Sequence, residues 1–135
     1  MTSPATDLAT YMAAGGLGLT VGTDLFVAMQ PTTVLNCVTV YDTGGFPPNQ
    51  SYSGEVFIGR PTVQIRVRNS AFATGYALAV AINGLLRAVV HQTLSSTWTL
   101  GAFQSTGIIY LGKTFGSTSG EAHEWTMNYQ IIRSE

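Results

Sequence analysis

The segment of residues 71–92 constrains the fold most, because it is apolar around nearly its whole circumference when drawn as a helix. Arg87 is its only charge. One predicted side carries Phe72, Tyr76, Ala79, Val80, Leu86 and Val90, and another carries Leu78, Ile82, Leu85 and Val89. Such a helix is buried on more than one side. We expect one side to pack on a sheet and the other to need a second partner, either the first helix or a neighbouring subunit.

The preceding segment, residues 55–69, alternates as a β-strand does. Its central residues point to opposite faces in two sets, Val63, Ile65 and Val67 on one and Gln64, Arg66 and Arg68 on the other. Pro61 has no backbone donor, so it belongs at the start of the strand, at an edge or at a bulge. Asn69 and Ser70 are expected to cap the helix that follows.

The other elements complete a pattern of helix, three strands, helix and three strands. Ser3 and Pro4 predict a helix start, and Gly15 predicts its end. Strands are expected at residues 25–30 and 36–42, paired as antiparallel neighbours, and in three β-rich runs at residues 93–104, 107–115 and 122–133. The pattern predicts one domain over residues 1–135, an α+β fold with a mixed, mainly antiparallel sheet and two helices on one face.

Residues 43–54 are rich in glycine and proline and are predicted to form a loop. A connection of this length is usually functional or flexible. Phe46 and Tyr52 are its aromatic residues and are candidate assembly contacts. The opposite interpretation, that both rings fold back on their own core, stays open.

Charge is scarce. Lys and Arg number 6 and Asp and Glu 7, giving a net charge of −1, and only 10% of the residues are charged. Nucleic-acid binding needs clustered cations, so that class is disfavoured. A surface this poor in charge predicts burial in a homo-oligomer or larger assembly. Arg60, Arg66 and Arg68 form the one cationic concentration; a docking surface for a partner's carboxylates is favoured over DNA, and a solvated strand face is the simpler alternative.

No motif predicts catalysis, a cofactor or a metal. Cys37 is the single cysteine and lies in a predicted strand, which favours a buried thiol. His123 stands beside acidic residues but lacks a third ligand, and His91 is expected at the end of the second helix. The glycines near residue 18 and the serines near residue 118 do not match phosphate-binding or nucleophile motifs. No signal peptide or membrane span is expected, which predicts a soluble, non-exported protein.

Two segments together resemble a known family. They are residues 40–48, VYDTGGFPP, and residues 60–69, RPTVQIRVRN, followed directly by the second helix. The opening helix and the glycine-rich connector fit as well. The chain is similar, over about its first two-thirds, to the minor capsid or tail terminator proteins of long-tailed, lambda-type phages.

The resemblance implies a virion protein made in the host cytoplasm. It implies a hexameric ring that caps the finished tail tube, stops its polymerisation and joins it to the head–neck connector, with DNA passing through the lumen without specific binding. Another neck component, such as a head-closure or adaptor protein, is the main alternative. A small enzyme and a nucleic-acid binder are the other classes considered, and the residues disfavour both.

Overall fold

The computed structural model describes residues 2–50, 57–94, 97–117 and 120–134. Within them the chain forms two helices and one seven-stranded sheet. In chain order the elements are α1 Pro4–Ala14, β1 Leu25–Val27, β2 Cys37–Gln50, β3 Phe57–Asn69, α2 Phe72–Arg87, β4 Val90–Leu94, β5 Thr97–Gln104, β6 Ile109–Ser117 and β7 Gly120–Ser134. The predicted α+β class is confirmed.

The sheet has the order β1-β2-β3-β7-β5-β4, and β6 also pairs with β7. Because β5 lies along residues 129–133 of β7 and β6 along residues 120–126, the two share one edge of that long strand. The paired strands are antiparallel except β1 and β2, which run parallel. The predicted antiparallel pairing of these two strands is therefore wrong. Residues 28–36 return across the sheet, so that β2 starts beside the start of β1.

The sheet packs both helices on one face, with a single hydrophobic core between them. Alternate residues of β2, β3 and β7 point into this core, among them Val38, Ile65, Trp125 and Tyr129. We call the opposite face the outer face. Gly75 lets α2 approach the sheet closely, since a Cβ there would stand 2.3 Å from the Trp125 ring. Tyr129 also donates a hydrogen bond of 2.7 Å to Asn83 Oδ1, which ties β7 to the same helix.

Helix α1 begins and ends where the sequence predicts. Ser3 is the N-cap, its hydroxyl accepts from the Thr6 amide at 3.2 Å, and Gly15 follows the last turn. Asp7 and Arg133 form a buried ion pair, Oδ2 to Nη1 at 2.9 Å, that fixes the helix to β7. The Asp42 carboxylate accepts from the Ala5 amide at 2.9 Å and satisfies a free donor of the first turn.

Helix α2 is shorter than predicted. It ends at Arg87, because Val89 turns into the core and the chain enters β4 at Val90. His91 therefore lies in a strand, with a φ of 48°, and not at a helix end. Ala71 is the N-cap; Asn69 Oδ1 accepts from the Ala71 amide at 2.9 Å in the turn before it. The predicted run of residues 93–104 is two strands, β4 and β5, which pair with each other.

The predicted loop at residues 43–54 is wrong as far as Gln50, since β2 continues to that residue and pairs with β3. Register shifts between Asp42 and Gly44 and between Phe46 and Asn49 interrupt the ladder. Gly45 has a φ of 103°, and a Cβ there would lie 2.4 Å from a β3 carbonyl oxygen. A glycine at this position therefore allows β2 and β3 to pair closely. Residues 51–56, including Tyr52, lie outside the described residues.

Candidate assembly surfaces

The three arginines singled out in the sequence occupy one strand face but have different surroundings. Arg68 is 8% exposed, on the outer face of the sheet. Its Nε donates to the Leu35 carbonyl at 3.1 Å, and its Nη2 donates to the carbonyls of Pro31 and Val34. The guanidinium thus holds residues 28–36, the segment that crosses the outer face, by its backbone carbonyls. Its geometry assigns Arg68 an intramolecular role, while its predicted docking role stays a prediction.

Arg66 is half-buried and is positioned by its neighbours. Its guanidinium carbon lies 5.9 Å from the centre of the Tyr41 ring, and its Nε donates to Gln64 Oε1 at 3.3 Å. Gln64 in turn donates to Asn128 at 3.4 Å. Burial raises the pKa of Tyr41, and the Arg66 charge opposes that rise. Within the described residues Arg66 forms no ion pair, so its charge is available to a partner.

Arg60 is exposed and lies near the start of β3, opposite the backbone of Phe46 in the β2 ladder. By strand alternation it shares the outer face with Arg66. Thr62 lies between them, and its hydroxyl is 2.8 Å from that of Thr43. We call Arg60 and Arg66 with the polar residues between them the arginine strip.

Part of the first predicted side of α2 is uncovered in the described chain, whereas Ile82 and Val89 of the other predicted side are buried. Phe72, Tyr76 and Val80 are 51%, 49% and 45% exposed. They recur every four residues and form one stripe along the helix. Tyr110 of β6 stands beside them, with its ring 5.3 Å from that of Phe72. These four residues are called the α2 ridge. The first helix does not cover them, which removes one of the two partners expected from the sequence.

The base of the ridge is held rigid by further rings. Phe72 lies 5.3 Å from the buried Trp125, and Tyr110 lies 5.4 Å from it. The Tyr110 hydroxyl is 2.6 Å from His123 Nδ1. His123 is thus engaged with a tyrosine, and the described residues hold no group of three potential metal ligands.

A cleft of about 520 Å³ opens at the other end of α2. Its lining includes Arg87, Val90, Leu100 and Phe103. Val90 and Phe103 are 58% and 50% exposed, so its walls present apolar surface to solvent beside the polar side chains of His91 and Gln104. Trp98 lies nearby, with its ring 6.1 Å from that of His91. We call this cleft and its walls the β4–β5 groove. Nothing in the sequence distinguishes Trp98 or Phe103 as surface residues, and only their exposure in the fold identifies them.

Cys37 is buried, as predicted, and burial raises the pKa of its thiol, against the nearby Arg68 charge. A protonated, inaccessible thiol is a poor nucleophile.

None of the described helices is long and apolar enough to cross a membrane. The prominent features of the described surface are the arginine strip, the α2 ridge and the β4–β5 groove. Surfaces of this kind define a structural assembly protein, one that acts through contacts with other proteins.

Comparison with known proteins identifies the family within that class. The sequence profile of the bacteriophage tail terminator proteins matches residues 12–135, and the chain belongs to this family. It is a structural virion protein of the tail or neck. No curated protein matches the sequence. A chain from the virion of a native gene transfer agent particle shares the fold, with a TM-score of 0.52 and 14% identity, covering 95% of this chain and 84% of that one.

Proposed function

We propose that this protein is a tail terminator that caps the finished tail tube as a hexameric ring. In that position it stops polymerisation of the tail tube protein and presents a joining surface to the head–neck connector. The observation that carries the proposal is the family match over residues 12–135. The two uncovered apolar surfaces support it, because a free monomer rarely exposes such patches without a partner.

The arginine strip is the proposed docking surface for the tube or the connector. Arg60 is exposed, and Arg66 is held in place with its charge uncompensated in the described chain. Guanidinium groups bind carboxylates in a two-point geometry, which suits recognition of acidic residues on a neighbouring protein. Phe46 and Tyr52 remain proposed contacts on the strength of the sequence.

DNA is proposed to pass through the ring without being held. The whole chain has 6 Lys and Arg residues against 7 Asp and Glu. Of these cations Arg68 and Arg133 are buried. The few that remain make a weak electrostatic footprint for phosphate. No catalytic role is proposed.

The test is termination itself. Tail tube protein is polymerised with and without this protein, and tube lengths and tube ends are measured by electron microscopy. We expect shorter tubes at substoichiometric amounts and a ring of six subunits at one end. Unchanged lengths with bare ends would refute the proposal, and binding to the head connector but not to tubes would favour another neck component.

A matched pair of variants tests the docking surface. Arg60→Gln combined with Arg66→Gln removes the charge of the arginine strip, and Lys113→Gln removes an exposed cation elsewhere, paired with Glu121 at 3.5 Å. Only the first should weaken binding to the tube or the connector. Equal binding by both variants would show that the strip is not a docking surface.

A further inference from the structure

We propose that the subunits join head to tail along α2, with the α2 ridge of one copy seated in the β4–β5 groove of the next. The inference rests on the proposed ring and specifies how it is built. Both apolar surfaces then bind the same partner, a second copy of this chain.

The two surfaces are unlike, which is what a ring requires. A contact between identical patches closes at two subunits, whereas a contact between two different patches repeats around a ring. The ridge is convex, a stripe of side chains on a helix, and the groove is a cleft of about 520 Å³. One chain therefore carries both halves of a heterologous contact.

The two surfaces also lie at opposite ends of the same helix. Phe72 is the first residue of α2 and Arg87, which lines the groove, is its last. At about 1.5 Å per residue, the ridge covers roughly the first 12 Å of the helix axis, and the groove begins roughly 10 Å beyond Val80. Seating one on the other places the α2 helices of successive copies end to end around the ring.

Area and chemistry agree with this pairing. An aromatic side chain buries about 150–250 Å², so the half-exposed rings of Phe72, Tyr76 and Tyr110 offer about 300 Å² in all. A stable interface covers about 800 Å² per partner with an apolar centre, so the ridge suits that centre. α2 has no acidic side chain, so burying its part of the ridge leaves no carboxylate without a partner. Arg87 at the groove can instead stack on an incoming tyrosine ring.

Mixed cysteine cross-linking tests the contact directly. Tyr76→Cys is placed on the ridge and Val90→Cys on the groove wall, in separate chains, and the proteins are mixed with a flexible bis-maleimide. Cys37 is buried and should not react. We expect cross-linked dimers from the mixture and little from either variant alone. As a control, Met29→Cys, at an exposed site on the β1–β2 connection, should not cross-link to Tyr76→Cys.

The double variant Tyr76→Cys with Val90→Cys should give a ladder of cross-linked species that stops at the ring size. If either single variant cross-links to itself as strongly as the mixture does, the contact is between identical patches and the inference is wrong. Rings observed by native mass spectrometry without mixed cross-links overturn the inference but leave the proposed function standing. Mixed cross-links without tube termination support the contact and refute the function. If no oligomer forms, either with the protein alone or on tubes, both the inference and the proposed function are wrong.

A charge substitution gives a second, independent readout. Val80→Asp puts a carboxylate into the proposed contact, and Val21→Asp makes the same change at a valine that is 53% exposed elsewhere. We expect the first to weaken ring formation roughly 30-fold or more, as for an interface hot spot, and the second to leave it unchanged. Far-UV circular dichroism spectra of both variants should match that of the wild type, which shows that the subunit still folds. A folded Val80→Asp variant that forms rings normally would contradict the proposal.

Discussion

The buried ion pair between Asp7 and Arg133 offers the sharpest test of how the two ends of the chain are held together. Asp7 and Arg133 are 3% and 4% exposed, and the pair spans 126 residues of sequence. Arg133 also donates to the Thr2 carbonyl at 3.2 Å. Removing one member leaves the other charged, buried and short of a partner, which costs about 3–5 kcal/mol.

The perturbation is Arg133→Met, which keeps an unbranched apolar stem and removes the guanidinium group with its charge. For a domain of this size about 1 kcal/mol corresponds to roughly 3–5 °C in Tm, so we expect a fall of about 10–20 °C. The assay is thermal and urea unfolding followed by circular dichroism. The matched control is Glu121→Gln, which breaks the exposed Lys113–Glu121 pair and should cost less than about 1 kcal/mol.

The double variant Asp7→Leu with Arg133→Met completes the cycle. Because neither charge is then left unpaired, it should recover much of the stability lost in Arg133→Met. A loss of less than about 1 kcal/mol in Arg133→Met, or a double variant no more stable than that single variant, would refute the reasoning.

Three further outcomes follow from other contacts. Gly75→Ala should destabilise the protein by about 1–3 kcal/mol in urea unfolding, although alanine favours helices, because its Cβ would meet the Trp125 ring; a gain in stability would contradict this. Burial raises the pKa of Tyr129 to about 12 from 10.0. Its neutral form therefore supports the fold below pH 10, and stability should fall by about 2–3 kcal/mol as pH rises from 10 to 12, a fall that Tyr129→Phe should diminish in melts across that range. Arg68→Met should speed hydrogen exchange in residues 28–36 while leaving α2 protected, since the guanidinium holds that segment by its carbonyls; unchanged exchange there would show that the segment is held by other contacts.

Local signals were enough for the fold class and for most elements. Ser3 and Pro4 begin α1 as predicted, because capping depends on neighbouring residues only. The alternation predicted that Val63, Ile65 and Val67 share one face of β3, and in the structure that face points into the core. Gly44 and Gly45 lie in a strand and not in the predicted loop, because positive φ values occur in a bulged strand as well as in a loop.

The assembly surfaces could be predicted only in part. The sequence showed that α2 is apolar on more than one side, but not which side would lack a partner. Phe72 and Ala79 were assigned to the same side, yet Phe72 is half exposed and Ala79 is fully buried. The difference depends on where the helix rests on the sheet, which Gly75 and Trp125 decide.

By itself the sequence determined the α+β class, the low charge, the isolated buried cysteine and a helix with too much apolar surface for one contact. These properties follow from composition and local periodicity. Tertiary structure alone decided that β1 runs parallel to β2, that Arg68 is buried while Arg66 keeps a usable charge, and that a ridge and a groove lie at opposite ends of α2. Each depends on contacts between residues far apart in the chain, which local patterns do not encode.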